Sequence, residues 1–367
     1  MTGNASDTND LTSKLSRQHK YKRSKNRISL STISPKDQIW DKHRANADIV
    51  ANYYAVEGNT CFNHYGQRIS SCSQELKFRL LPEPSEGILQ LKLSDARFCR
   101  VRYCPVCQWR GSLMWKAKAY KILPKIVADY PKYRWLFLTL TVKNCHIEEL
   151  RTTIGAINKA FKRLTELKVW PAKGWVKSVE VTKGLDGLSA HPHIHVLVMV
   201  MPSYFSHGYL SQFKWVELWQ QCLRVDYKPV IHVSAIAKHQ DPKIIVPEIL
   251  KYQVKESDLV TQQEWFLELT HQMHNTRGVS VGGVLKQYMR LEEQNPDLIG
   301  KDEKNDPVEL ESLIFKWRRD LKKYNISISN ISDKRTAVKP LAEKSFRILK
   351  NVEAIERRSS VLAEYLR

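Results

Sequence analysis

His191-Pro192-His193-Ile194-His195 runs directly into the apolar stretch Val196-Leu197-Val198-Met199-Val200-Met201, and the reading of this stretch decides the fold. Side chains of a strand alternate between its two faces, so the three imidazoles point the same way. Imidazole is the commonest protein metal ligand near neutral pH. Three on one face of an apolar strand predict a metal site or a catalytic histidine array. The plain alternative is a set of partly exposed strand histidines.

The stretch just upstream adds a carboxylate. Trp175 to Thr182 has strand composition, and Lys183 to Ala190 is a Gly-rich turn leading into the histidine strand. In a symmetric hairpin with residues 183–190 as its loop, Glu180 lies opposite His193 and shares its face. Two imidazoles and a carboxylate leave coordination positions open, as a catalytic divalent ion requires. An exposed strand carboxylate is the plainer reading of Glu180. A phosphodiester repels nucleophiles through its negative oxygens, and a histidine-held cation would neutralise that charge. Other metal chemistry stays open on these residues alone.

Downstream, Val246 to Glu256 predicts a helix with Pro247 in its first turn. Glu248, Tyr252 and Lys255 fall at i, i+4 and i+7 and form one polar stripe, while Leu250 and Val254 face the core. A tyrosine flanked by a carboxylate and an ammonium is arranged for display. It needs a nearby cation or base to act as a phenolate at neutral pH. Taken alone, an ordinary surface helix would read the same way.

Around these elements the chain predicts an α+β fold with a central antiparallel sheet flanked by helices. Arg134 to Val142 reads as a strand. Asn144 can cap a following helix in which Ile147, Leu150, Ile154, Ile157, Phe161 and Leu164 recur at three- and four-residue steps. Helices are expected at Gln38–Tyr54 and Ser206–Cys222, and a strand at Val230–Ile236. The expected organisation is a disordered basic arm over 1–34, an N-terminal region over 35–130 and a sheet domain over 131–291. A basic C-terminal extension covers 292–367 and is helical from Leu341.

The 367 residues carry a formal charge of +21, with a pI of 9.6. That surplus favours a polyanionic partner, nucleic acid first. Ten Lys or Arg residues but a single acid, Asp129, lie between Arg97 and Arg134. No stretch is long and apolar enough for a membrane span or a signal-peptide core. The seven cysteines fit metal binding better than a disulfide framework, and a reducing compartment, the bacterial cytoplasm, is expected. Cys104-Pro105-Val106-Cys107 is a knuckle-like pair with Cys99 just before it, so a structural Zn²⁺ module is expected, the alternative being buried free thiols. Cys61 and His64 are candidates for the fourth ligand. Arg97, Arg100, Arg102 and Arg110 surround the pair and are expected to contact DNA.

Three segments together resemble the plasmid rolling-circle replication initiators of the HUH endonuclease superfamily. They are Phe137-Leu-Thr-Leu-Thr-Val-Lys-Asn144, His191-Pro-His-Ile-His195-Val-Leu and Glu248-Ile-Leu-Lys-Tyr252-Gln-Val-Lys255. The stretch Phe98 to Arg110 also looks like one of that family, and Cys72-Ser-Gln-Glu-Leu-Lys-Phe78 resembles its first cysteine segment, which makes Cys72 the preferred fourth zinc ligand. The resemblance covers roughly residues 60–290. It implies a ferredoxin- or RRM-like nicking domain that cuts one strand at a plasmid double-strand origin. Tyr252 would be the nucleophile, joined covalently to the 5′-phosphate, and Glu248 would activate water for the terminating cleavage. His193 and His195 would be ligands of Mg²⁺ or Mn²⁺, with Glu180 or His191 as a third. Phe137 to Asn144 would serve as sheet scaffold. Implied partners are double- and single-stranded origin DNA, a host helicase and a DNA polymerase. The chain offers no G-x-x-x-x-G-K-[ST] loop, in keeping with a transesterification that needs no ATP. Two other readings fit parts of the sequence: a histidine-triad nucleotide hydrolase, and a non-catalytic zinc-dependent DNA-binding regulator.

Overall fold

The computed structural model describes residues 28–82, 89–237, 254–291 and 312–327. Its strands are β1 (Glu75–Pro82), β2 (Leu89–Ala96), β3 (Arg134–Thr141), β4 (Cys145–His146), β5 (Ala172–Lys183), β6 (Ser189–Val200), β7 (Ile231–Ala235), β8 (Val279–Gly283), β9 (Ser312–Arg318) and β10 (Lys323–Ile326). The chain divides into two compact units, one of residues 1–45, 71–98 and 299–367, the other of 46–70 and 99–298. This division crosses the expected domain boundaries. The helix Pro105–Asp129 belongs with the histidine strand, and β9 pairs with the N-terminal strand β1 and carries β10 on its other edge.

In the smaller unit an antiparallel sheet has the order β10-β9-β1-β2. Along β1, Leu76 and Phe78 are buried while Glu75, Lys77 and Arg79 are exposed, the alternation of a sheet with one wet face. Phe78 meets Phe315 edge-on at 5.8 Å. The Tyr324 hydroxyl donates to the Ser73 carbonyl at 2.6 Å, and burial pushes that phenol above its ordinary range. Most of the expected basic arm lies outside the described residues. Its end is ordered: Ser29 caps a short turn, Leu30–Ile33, and Leu30 is fully buried.

In the larger unit a six-stranded antiparallel sheet runs β7-β3-β6-β5-β8, with β4 also on β6. The helix Leu150–Glu166 covers one face. All six apolar positions expected on the inner stripe are buried, Ile147 in the turn just before the helix and the other five within it, each contributing roughly 1.5–3 kcal/mol. Phe161 packs edge-on to Trp175 at 4.9 Å, and Trp175 pairs with Val198, so the Val196–Val198–Val200 side of β6 meets this helix. The other face carries the histidines and then Leu197 and Met199. These two pack with Ile122, Leu123 and Ile126 of the helix Pro105–Asp129 and with Leu285 and Tyr288. The edge strand β8 fits because Gly282 lacks a side chain. A Cβ there would meet the Trp175 indole at 2.2 Å.

The helix expected to begin after Asn144 starts later, at Leu150. The short strand β4 and a 3-10 turn come first, because Cys145 and His146 pair with Ala190 and Ser189. The helix expected from Ser206 begins at Gln212, where the Ser211 hydroxyl accepts from Lys214 N–H. Among the described residues no helix is long and apolar enough to cross a membrane.

Candidate metal centre

The expected hairpin register is the one observed: Glu180 stands opposite His193. Ser178 stands opposite His195, two residues along the same face. The Nε2 atoms of His195 and His193 converge on one carboxylate oxygen, Oε2 of Glu180, at 2.9 and 3.3 Å. Glu180, His193 and His195 are 4 %, 8 % and 5 % exposed, so all three groups are withdrawn from water. Adjacent ligands of an octahedral Mg²⁺ at about 2.1 Å stand about 3 Å apart, close to these separations. A His₂Glu donor set suits such a divalent ion and leaves positions for a substrate oxygen and water.

The other ring nitrogens are occupied, which aims Nε2 inward. Nδ1 of His193 faces the His191 carbonyl at 3.3 Å and can only donate to it. Nδ1 of His195 lies 3.0 Å from the Thr139 hydroxyl, and Phe137 stacks on the same imidazole at 5.4 Å. The segment Phe137 to Asn144 is therefore scaffold in a specific sense: two of its side chains hold one histidine. No signal in the sequence marks Thr139 within that scaffold as the partner of His195.

His191 stands apart from the three. Its Nδ1 lies 2.7 Å from Oδ1 of Asn144, a residue expected to cap a helix. Its ring centroid is 5.2 Å from that of His193. Burial pushes the His191 imidazole below its ordinary pKa, with His193 adding to the effect and Glu180 opposing it. The group that converges on a common point is Glu180, His193 and His195.

Glu248 and Tyr252 lie outside the described residues. The helix expected to run through Glu256 does not include Val254 and Lys255. Val254 forms a parallel bridge with Val181, and Lys255 is extended (ψ 135°) ahead of a separate short helix, Glu256–Leu259. Pairing with the sheet next to Glu180 outweighs helical spacing at these two positions. Val254 is fully buried, as expected, and Lys255 is exposed.

A second group, of thiols, lies in the same unit. The Sγ atoms of Cys99, Cys104 and Cys107 lie within 4.8 Å of one another, with Cys99 and Cys107 at 3.5 Å. A tetrahedral zinc with Zn–S of about 2.3 Å needs neighbouring sulfurs about 3.8 Å apart. Backbone N–H groups of Arg100 and Val101 donate to Cys107 and Cys99. Arg100 adopts the left-handed conformation (φ 57°) that closes this knuckle. Cys104 caps the helix Pro105–Asp129, whose N-terminus favours negative sulfur. Cys72 belongs to the smaller unit and is buried there. As a donor set, the three thiols of Cys99, Cys104 and Cys107 are compatible with a zinc module.

The four arginines differ. Arg97 and Arg100 are exposed, and Arg110 is half-buried. Arg102 donates to the carbonyls of Met273 and Thr276 at 2.7 and 2.8 Å, clamping the end of the helix Gln263–Gln272. That structural contact occupies the guanidinium expected to meet DNA.

A strand-borne pair of histidines with a carboxylate on an antiparallel sheet forms a group that could hold a metal ion, in a basic α+β protein that also carries a cysteine group. Residues 90–325 match the replication protein family, and the chain belongs to it. It is thus a member of the plasmid rolling-circle initiators that its three motifs resemble. It is 36 % identical over 283 residues to a "Protein rep" of Lactiplantibacillus plantarum, covering 71 % of this chain and 87 % of the relative. A "Protein rep" of Streptococcus pneumoniae is 34 % identical over 253 residues, covering 66 % and 78 %. One of Bacillus amyloliquefaciens is 29 % identical over 309 residues, covering 76 % and 90 %. No solved structure matches the chain.

Proposed function

We propose that this protein initiates plasmid rolling-circle replication by nicking one strand of the origin through Tyr252. The observation that carries the reading is the convergence of His193 and His195 on one oxygen of Glu180. A Mg²⁺ or Mn²⁺ ion held there would neutralise the scissile phosphate and orient it for in-line displacement. Two imidazoles and one carboxylate hold fixed positions on the hairpin, and burial keeps competing water away. The Tyr252 phenol oxygen bonds to phosphorus as the bond to the 3′-oxygen breaks. The phenol gives up its proton and the leaving oxygen gains one, which yields a 5′-phosphotyrosine and a free 3′-hydroxyl. Attack by a 3′-hydroxyl on the phosphotyrosine reverses the step without ATP. Glu248 accepts a proton from water when the terminating strand is hydrolysed, and Lys255 supplies positive field to the tyrosine.

Val254 supports the assignment of Tyr252. It lies two residues further along the chain and pairs with Val181, the neighbour of Glu180. Two residues span at most about 7 Å. Cys99, Cys104 and Cys107 hold a structural Zn²⁺, and Arg97, Arg100 and Arg110 contact origin DNA. His191 serves beside the triad. A host helicase and polymerase take over from the primer, in the cytoplasm.

The test is mass spectrometry of the protein mixed with Mn²⁺ and single-stranded oligonucleotides tiled from its own plasmid. A peptide carrying DNA on Tyr252 is expected. Intact nicking by Tyr252→Phe would falsify the assignment. Glu248→Gln is expected to form the adduct but to fail at terminating hydrolysis, and normal termination by that variant removes Glu248 from the mechanism.

A further inference from the structure

The edge strand β7 brings one more histidine onto the triad's face. Thr139 stands opposite His195 on β6 and opposite His232 on β7. Directly opposed residues project to the same side of a sheet. A row His232–Thr139–His195–Ser178 therefore crosses four strands. At about 4.8 Å per strand, His232 stands about 10 Å from His195, backbone to backbone.

Burial along that row is graded. Ser178 and His195 are buried, Thr139 is half-buried, and His232 is exposed. Glu180 and His193 are likewise buried, while Thr141, opposite His193, is half-buried. On the other side the sheet runs into Val279 and Val281 of β8, next to the apolar core around Leu285. Among the described residues, then, the triad opens towards β7, across Thr139, Thr141, His232 and Ser234. Lys143 stands just past β3 and is exposed. Its backbone N–H donates to the Tyr227 hydroxyl at 3.1 Å, and its ammonium lies 4.3 Å from the centre of that ring.

We propose that His232 and Lys143 form a contact site for backbone phosphates of single-stranded nucleic acid flanking the phosphate at the triad. This rests on the strand-cleavage reading for the triad's occupant and adds the direction in which the strand leaves it. Glu180, His193 and His195 are themselves buried, whereas Thr139, Thr141 and His232 beside them are progressively more exposed, so nucleotides flanking a phosphate at the triad would meet polar, solvent-open surface on that side. An imidazole N–H and an ammonium are suitable donors to phosphate oxygens. Neither residue reads a base, so the contact positions the strand and does not select its sequence.

The test uses the full chain, a short fluorescent oligo-dT, and Ca²⁺ as the only divalent ion, with anisotropy read across a series of NaCl concentrations. His232→Ala and Lys143→Ala are each expected to weaken binding about 3- to 10-fold. Lys143→Ala is expected to lower the slope of log affinity against log salt by about 0.7. His232→Gln, which keeps an N–H donor, is expected to recover most of the loss, an outcome that a merely structural role would not produce. Lys286→Ala, exposed on the β8 side, is expected to bind as the unaltered protein does. Absence of binding to oligo-dT, unchanged affinity in both His232→Ala and Lys143→Ala, or an equal loss in Lys286→Ala overturns the proposal. No bond is cut in this assay, so its outcome is independent of the Tyr252→Phe result.

Discussion

The thiol group and the Glu180–His193–His195 group lie in the same compact unit, yet they are built in opposite ways. The thiols come from a knuckle and a helix N-terminus, and backbone N–H groups already satisfy two of the sulfurs. Soft ligands in that setting suit a closed zinc that holds the chain together. The other group comes from two rigid strands, mixes nitrogen with oxygen, and aims all three ligand atoms at one point. Open coordination positions there leave room for a substrate. On the proposed reading, the first arrangement would stabilise structure and the second would present reactivity.

Removing a ligand from each group separates these roles most sharply. His195→Ala is expected to lower adduct formation at least about 1000-fold, a loss of roughly 4 kcal/mol of transition-state stabilisation, while protein-bound zinc stays constant. Adduct yield by gel and zinc by atomic absorption check both halves. Cys104→Ser is expected to do the reverse, removing zinc and lowering stability by about 3–5 kcal/mol, or a melting shift on the order of 10 °C. A Cys104→Ser protein with normal zinc and melting would end the distinction.

A third contrast lies on the reverse face of β5. Lys177 is buried there, and its ammonium donates to Asn158 at 2.5 Å. Burial pushes its pKa down from 10.5 to about 8. The unfolded chain then binds more protons than the folded one between those values, so stability rises with pH from about 8 to about 10.5. Below about 8 the penalty is fully present, roughly 3 kcal/mol at that shift. Lys177→Met is expected to raise stability at pH 7 by about 2–3 kcal/mol and to flatten that rise, as urea titrations across pH would record. The smallest effect concerns Thr139. Thr139→Val removes the hydroxyl beside His195 and is expected to weaken Mn²⁺ binding about 10- to 100-fold by electron paramagnetic resonance, with zinc content unchanged. Unaltered Mn²⁺ affinity would remove Thr139 from the support of the centre.

Much of this was legible in the sequence because it rests on short periods. The hairpin register followed from one turn and the two-residue strand repeat, which placed Glu180 opposite His193. The inner stripe of the helix Leu150–Glu166 followed from its three- and four-residue spacing. What escaped depends on contacts that local pattern does not encode. Asn144 has the composition of a helix cap, but β4 pairs with β6 and leaves its side chain to His191. Arg102 sits in a basic run, and only the folded chain brings it to the carbonyls of Met273 and Thr276. Val254 and Lys255 have helical spacing, but a bridge to Val181 draws the chain into extended form. The partnership of β9 with β1 joins residues more than two hundred positions apart, beyond the reach of any periodicity.

The triad also has an economical origin, since all three of its ligands come from a single β-hairpin, residues 180 to 195. Hairpins close on the order of microseconds, so the ligand constellation can assemble before the distant pairings of the fold are made. Everything then hangs on register, because a slip of one position would rotate the carboxylate to the far side of the ribbon. Two devices oppose that slip. The Asp186 carboxylate ties down the tip by accepting from the backbone of Leu188 and Ser189, and Lys177, anchored to Asn158, pins the opposite surface. An ammonium that costs stability thus doubles as a guard on the alignment of the reactive groups.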